Sequence, residues 1–588
     1  MATRLKEVDA VVIGMGWTGA IMARELTRAG LKVIGLERGR DQTPAEDFTL
    51  PSLRDELKYA VRLATMWDTS NSTLTFRNTS AQTALPMRRL GAFLPGEGVG
   101  GSGVHWGGLH WRYLPNDFRA RSHITERYGA KMIDDGLTIQ DWPVSYQELE
   151  PYYTHFDKMC AVSGKAGNIA GRKIDGGNIF EGPRSEEYPN RPLHASAAQE
   201  MFTAATQGLG YHPFPMPIAN SSAPYRNPEG LTIGACQYCG FCNRTGCESN
   251  AKASANIAIM PVLRKDPNFT LRTHAFVDRI VYDKQARKAR AVIYTDMRTG
   301  EEFEQPASLV ILAGYVFTNV QILLLSGIGI PYDPMSGRGQ VGRNYAYQVE
   351  TGGTAFFAGK ELNPFMSASG NLGVIDDFNS DNFDHSRLGF IGGGFIAAGA
   401  GGLPIGGRQL PEGTPRWGAQ WKRETAKWYR SAMRFATEGS GHAHRSNYLD
   451  LDPTWKDALG RPLIRMTYTD TENDLKQSDY LLGVVEKIAR SMNPDHLVLH
   501  RKPRRFSVVP YQSTHNTGGT IMGSNPSNSV VNRYLQSWHA DNLFVMGASV
   551  FPQQHGYNPT GTVGALAYWS ANAIATRYLH SPGALVHG

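Results

Sequence analysis

Six residues near the start of the chain, Gly14-Met15-Gly16-Trp17-Thr18-Gly19, constrain its fold more than any others. They follow an apolar, β-branched run, Val8 to Ile13, and lead into a stretch of helical character, Ala20 to Ala29. Gly30 ends that helix, Leu31 to Leu36 reads as a second strand, and Glu37 closes it. A strand, a Gly-rich turn, a helix and a strand in direct succession imply a parallel sheet with helical crossovers. Each glycine has its own duty in such a turn. Gly14 permits the bend, Gly16 lets backbone approach a pyrophosphate, and Gly19 lets helix and strand pack closely. The helix N-terminus then faces the phosphates. Glu37, 18 residues beyond Gly19, stands where a carboxylate takes ribose hydroxyls. The fold class expected is α/β, with a Rossmann-like dinucleotide-binding domain and an interleaved, sheet-bearing substrate domain.

At 588 residues the chain exceeds what one hydrophobic core supports, so two intimately joined domains are expected. Basic residues number 60 and acidic ones 53, and no long basic block marks a nucleic-acid surface, so no nucleic-acid partner is expected. No apolar run approaches the ~18 residues that span a bilayer. The opening MATRLKEVDAVVIG enters a strand almost at once, so no signal peptide is expected. The chain divides into 1–142 (first dinucleotide part), 143–225 (substrate part or cap), 226–345 (a cysteine loop and the second dinucleotide part), 346–504 (substrate domain) and 505–588 (the closing part). A helix start is predicted at Pro143 to Tyr153, where Ser145 and Glu148 have capping-box spacing and Val144 and Leu149 that of a hydrophobic staple. Strands are predicted around Phe506–Val509 and Leu543–Met546, and a helix from Gly561 to Tyr578.

Residues 96–108 read GEGVGGSGVHWGG, seven glycines in thirteen, which suits backbone lying along an extended cofactor. With STHNTGGTIMG, DWPVSYQELEPYY, VILAGYVFTNVQILLLSG, GQVGRN and the C-terminal GYNPTGTVGALA, these segments resemble the glucose–methanol–choline (GMC) oxidoreductases over essentially the whole chain. The resemblance implies FAD rather than NAD. It implies contacts from Gly14, Gly16, Gly19, Glu37, Gly100, Gly101, Ser102, His105, Trp106, Gly107, Asn558, Pro559 and Thr560. His105 matches the position at which several members attach FAD covalently, so a His105–FAD bond is expected. Met546-Gly547-Ala548-Ser549 departs from an aspartate–glycine–serine version common in the family. The helix start after Asn558-Pro559-Thr560 would oppose negative charge on a reduced flavin.

The same resemblance maps the catalytic pair onto His515 and Asn558. Oxidising an alcohol by hydride transfer requires its hydroxyl proton to leave, and a neutral imidazole accepts it at neutral pH. A neutral amide hydrogen-bonds the oxygen without competing for the proton. His110 and His555 are further polar candidates for the same pocket.

Four of five cysteines, Cys236, Cys239, Cys242 and Cys247, fall within twelve residues as C-x2-C-x2-C-x4-C; Cys160 stands alone as a small hydrophobe. Structural zinc usually uses two pairs separated by a longer loop. Two disulfides in so short a loop would be strained. Three cysteines at successive x2 intervals resemble ferredoxin-type cluster binding, the favoured of the three readings. The insert narrows the resemblance to three-subunit, membrane-associated sugar and sugar-acid dehydrogenases, its CxYCGFC form looking most like the gluconate-oxidising type. That resemblance implies a 3Fe–4S cluster, a small subunit with a twin-arginine signal and a membrane-anchored multihaem cytochrome c subunit. It also implies a place on the periplasmic face of the bacterial inner membrane. The reaction expected is D-gluconate to 2-keto-D-gluconate, with 2-ketogluconate, sorbitol, glucose and fructose as alternative substrates. A rival is an oxidase of the same fold with structural zinc; another is a non-catalytic flavoprotein relay.

Overall fold

The computed structural model describes residues 2–49, 63–368, 370–400 and 409–587. Its eight-stranded sheet orders Phe269–Arg272, Val33–Leu36, Val8–Ile13, Glu302–Leu312, Lys288–Asp296 and Ala275–Asp283 along its main path. The first four run parallel, and Leu543–Val545 joins Glu302–Leu312 in parallel from near the C-terminus. Ala10, Val11 and Val12 are wholly buried, as a central parallel strand covered on both faces requires. Val8–Ile13, the helix Trp17–Arg28 and Val33–Leu36 form the β–turn–α–β unit expected. Trp17–Arg28 packs on the helix Thr560–Ala573, which packs in turn on Tyr146–Met159. Small residues allow the approach: a Cβ on Gly564 would sit 2.2 Å from the Phe156 ring.

Tyr146–Met159 begins where predicted, with Ser145 and Glu148 capping each other reciprocally. The C-terminal helix runs over Thr560–Ala573 and continues as one π-helical turn, Ile574–Tyr578. Of the two strands predicted near the C-terminus, Leu543–Val545 forms and Phe506–Val509 does not. Pro503 and Pro510 bracket that second segment and remove donors a ladder needs. Phe506 instead fills an aromatic cluster with Phe76, Tyr347 and Tyr468.

A second, six-stranded sheet orders His496–His500, Val349–Phe356, Ala432–Gly439, Gly394–Gly399, Gly373–Ile375 and Phe214–Pro215, all antiparallel. Alternation along Ala432–Gly439 sends Met433 and Phe435 into a core shared with Leu481, Val485 and Ile488 of the helix Glu472–Ser491. Arg434, Ala436 and Glu438 point to the opposite face, which looks into a cleft between the two sheets. Within 346–504, Tyr448–Lys456 and Pro462–Thr467 leave this sheet and join Leu74–Arg77 and Leu85–Pro86 in a four-stranded one. Among the described residues, no helix is long and apolar enough to cross a membrane.

Candidate active site

One wall of the cleft is glycine backbone. Gly14 has φ +90°, and a Cβ there would lie 2.6 Å from the Ala313 carbonyl oxygen. On Gly19 it would lie 1.9 Å from the Gly14 oxygen, so helix and turn close only without a side chain. Gly14, Gly16, Gly101, Ser102, His105, Trp106 and Gly107 line the cavity; Gly19 and Gly100 lie behind it. Gly100 lets Asn256 reach in, since a Cβ there would fall 1.8 Å from the Asn256 Oδ1. The helix Trp17–Arg28 has no acidic residue in its first turn, leaving its N-terminal amides to an anion. Glu37 lines the cavity too, its carboxylate accepting from the backbone N–H of Met15 and Gly39, each at 2.9 Å, and of Gly98 at 3.3 Å. It is therefore fixed at the strand end where a ribose would pass.

The other end of the cleft holds His515 and Asn558, with 3.1 Å between His515 Nε2 and Asn558 Nδ2. Asn516–Thr517 pairs antiparallel with Ala346–Tyr347, and that register carries His515 beside Gln348. The Gln348 amide oxygen accepts a short hydrogen bond from His515 Nδ1. That oxygen only accepts, so Nδ1 carries the ring proton and Nε2 presents its lone pair to Asn558. Burial pushes His515 down to about 3, which keeps the imidazole neutral. Asn558 sits just ahead of the helix Thr560–Ala573, which has no acidic residue in its first turn and aims its N-terminus at the cleft. Pro559 and Thr560 line the cleft beside it.

Two models of the GMC oxidoreductase family match residues 222–350 and 443–567. The chain is 46% identical over 593 residues to the gluconate 2-dehydrogenase flavoprotein of Pantoea cypripedii, covering 100% of this chain and 96% of that one. It belongs to the GMC oxidoreductase family. It is 26% identical over 602 residues to the fructose dehydrogenase large subunit of Gluconobacter japonicus, covering 98% of this chain and 99% of that one. Among solved structures, pyridoxine 4-oxidase from Mesorbium loti superposes with a TM-score of 0.61 at 19% identity, over 97% of this chain and 99% of that one, a likeness of fold.

As a GMC oxidoreductase the chain is an FAD-dependent enzyme, and the cavity suits the cofactor: a glycine cradle, two helix N-termini and a fixed carboxylate. His105 is buried in that wall with Nε2 lacking any hydrogen-bond partner. Burial, with Lys252 and Arg244 nearby, pushes it down to about 3, so the ring is neutral where it lines the cofactor cavity. Gly547 and Ala548 of the departing MGAS segment line the cavity, and Asn319 holds that segment through the Met546 carbonyl and Ser549 Oγ, both at 2.9 Å.

His110 and His555 turn out to serve the fold elsewhere. His110 Nε2 lies 3.0 Å from Asp157 Oδ1, in a buried network where Arg112 and Arg184 also hold Asp157. His555 is buried between Trp142, Gln553 and Asp117. Neither lines the cleft.

The cysteine loop packs against the flavin-facing segment. Asn243 and Arg244 line the cleft, and the Arg244 N–H donates to the His105 carbonyl at 2.8 Å. Cys242 is buried, and Cys236, Cys239 and Cys247 are partly so; all four are free thiols. Buried Lys252 ties the loop to its neighbour, its Nζ donating to the carbonyls of Trp106 at 2.7 Å, Cys242 at 2.6 Å and Thr245 at 2.8 Å. Asn220 donates to the Cys242 sulfur at 3.5 Å and the Lys252 N–H to the Cys247 sulfur at 3.3 Å. Burial pushes Cys236 up to about 12 and raises Cys239, so both are thiols at neutral pH, and a metal bound there would displace their protons. Sulfur-directed N–H donors and one buried cation suit an anionic, thiolate-held centre.

Sequence reasoning missed Gln348, Glu350, Arg434 and Glu438. Glu438 Oε2 lies 3.7 Å from His515 Nδ1. Each of the four sits singly in a strand or beside one, without a motif. Period-two alternation in AMRFATEG was the one available signal, and it does not say which sheet face meets a pocket.

Proposed function

We propose that this GMC oxidoreductase oxidises a hydroxyl of a sugar acid, D-gluconate to 2-keto-D-gluconate being the best reading, and passes the electrons singly through a 3Fe–4S cluster to a cytochrome c subunit. The observation carrying the chemistry is the His515–Asn558 pair, 3.1 Å apart in a glycine-walled cleft, with the imidazole neutral. Similarity to the Pantoea flavoprotein supports the substrate class.

His515 Nε2 takes the substrate's hydroxyl proton while Gln348 fixes the ring's tautomer and tilt. Asn558 donates to the hydroxyl oxygen as charge gathers there. Gly14, Gly16, Glu37, Gly101, Ser102, Trp106, Gly107, Pro559 and Thr560 would hold FAD, which would supply the hydride acceptor. His105 is the residue that would hold it covalently. Cys236, Cys239, Cys242 and Cys247 would hold the cluster, which supplies a one-electron outlet. Relatives named as a flavoprotein and a large subunit support an assembly with partner chains. In the proposed assembly these are a small twin-arginine-signal subunit and a membrane-anchored multihaem cytochrome c, on the periplasmic face of the inner membrane.

The test is anaerobic flavin bleaching by gluconate, 2-ketogluconate, glucose, sorbitol and fructose, with iron, zinc and sulfide assayed on the same preparation. Bleaching by gluconate before the others, with iron and sulfide present, is expected. Zinc in place of iron, with peroxide formed in air, would replace this reading by the oxidase one. Flavin retained on the polypeptide after denaturation tests the His105 bond.

A further inference from the structure

The substrate-facing sheet carries charge that neither the family motifs nor the His515–Asn558 pair accounts for. Arg434, Ala436 and Glu438 alternate onto one face of their strand and line the cavity. Glu350 stands directly opposite Glu438 in the antiparallel register. One oxygen of each, with a ring nitrogen of His515, lie within 4.8 Å of one another. Two carboxylates so close do not both ionise readily, so they hold a proton between them. Such a pair both donates and accepts hydrogen bonds, as a run of hydroxyl groups requires.

Arg434 contrasts with the cations that serve the fold. Arg461 also lines the cavity but lies 2.7 Å from Asp457, and Arg112 and Arg184 share Asp157. Arg244, at the cleft's edge, sits over the Tyr511 ring at 5.0 Å. Arg434 makes no side-chain hydrogen bond and no close ion pair among the described residues; the charges nearest to it are the Glu350 and Glu438 carboxylates, whose ionised forms it favours. Its register neighbours are Thr354 and Gly399, neither of which carries a charge to pair with it. Ala436, the next residue on that face, is small and also lines the cavity. The wall thus carries a cation and a proton-sharing carboxylate pair, ending against the base at His515.

We infer that Arg434 anchors the substrate's carboxylate, while the Glu350–Glu438 pair receives hydroxyls of the same molecule. This deepens the sugar-acid reading and rests on it. A guanidinium fork meets a carboxylate through two parallel hydrogen bonds, which a neutral polyol cannot supply. The substrate class is therefore a polyhydroxy monocarboxylate, and the charge of its acid group, more than its hydroxyl pattern, sets the preference over neutral sugars.

The test uses FAD-loaded enzyme, Arg434→Met and Arg434→Lys, with gluconate and with gluconamide, which keeps the hydroxyls and lacks the charge. Flavin absorbance per chain checks that each variant is folded and loaded. Wild type should prefer the acid, and Arg434→Met should cut the acid-over-amide ratio of kcat/KM by about tenfold to a hundredfold, chiefly through KM. Arg434→Lys should recover part of that ratio, since it restores charge without the fork. An unchanged ratio in Arg434→Met, with gluconate still bleaching the flavin, overturns the assignment and leaves the sugar-acid reading standing. Wild-type flavin that gluconate does not bleach overturns that reading and this assignment with it.

Discussion

The two walls of the cleft are made of different material. On the cofactor side, Gly14, Gly16, Gly101 and Gly107 present backbone, and Gly19 and Gly100 leave no room for a side chain behind it. On the substrate side, Glu350, Arg434, Glu438 and His515 reach in from strands and loops far apart in the chain. A pyrophosphate and its helix dipole need close backbone approach, and nearly any side chain there is an obstruction. Substrate choice needs directed charge and hydrogen bonding, which side chains supply one at a time. The first wall should therefore fail completely when altered, and the second by degrees.

The largest effect is expected at Gly19. Gly19→Val places atoms where a Cβ already falls 1.9 Å from the Gly14 oxygen, so the turn cannot close and the purified protein should carry no flavin. Flavin bound at the wild-type ratio would break the contrast between the walls. Next is His515→Ala, which should keep its flavin and slow bleaching by about 10²- to 10⁴-fold. Cys242→Ser should lose iron and sulfide, and with them turnover on a haem acceptor; full turnover without iron would remove the cluster from the electron path. Glu438→Gln is smaller, because its carboxyl lies 3.7 Å from His515 Nδ1 without donating to the reacting oxygen. Bleaching about tenfold slower is expected as the imidazolium loses a nearby acceptor. The smallest effect is in pH. The neutral imidazole is the active form, so the rate falls as pH drops through its pKa, and burial places that limb near pH 3 rather than 6.5. A limb near 6.5 in the pH profile of bleaching would show His515 to be solvated in the working enzyme.

Legibility in the sequence divides along the same line. The backbone wall was readable because its glycines are local: the turn at Gly14–Gly19 and the run at 96–108 each announce a shape within a few residues. His515 and Asn558 were reachable through resemblance alone, since nothing in a lone histidine or asparagine signals a shared pocket. Their meeting depends on the pairing of Asn516–Thr517 with Ala346–Tyr347, a contact across some 170 residues of chain that no local pattern encodes. Glu350 and Glu438 illustrate the same loss, being paired in register and silent in sequence. His110 and His555 show the converse error. Both are polar candidates for the pocket by sequence, and in the fold each is buried against a carboxylate outside the cleft lining. The strand predicted at Phe506–Val509 failed because apolar residues between two prolines fill a core as readily as they extend a sheet.

In the proposed reaction electrons enter at the FAD beside His515 and leave one at a time through the cysteine loop. Anaerobic titration with gluconate, following flavin absorbance and low-temperature EPR on the same samples, tests it most directly. Flavin bleaching at the first addition, with an iron–sulfur signal that changes as reduction proceeds, is the result this account predicts. Bleached flavin beside an iron signal that never responds, or no iron signal at all, would contradict it.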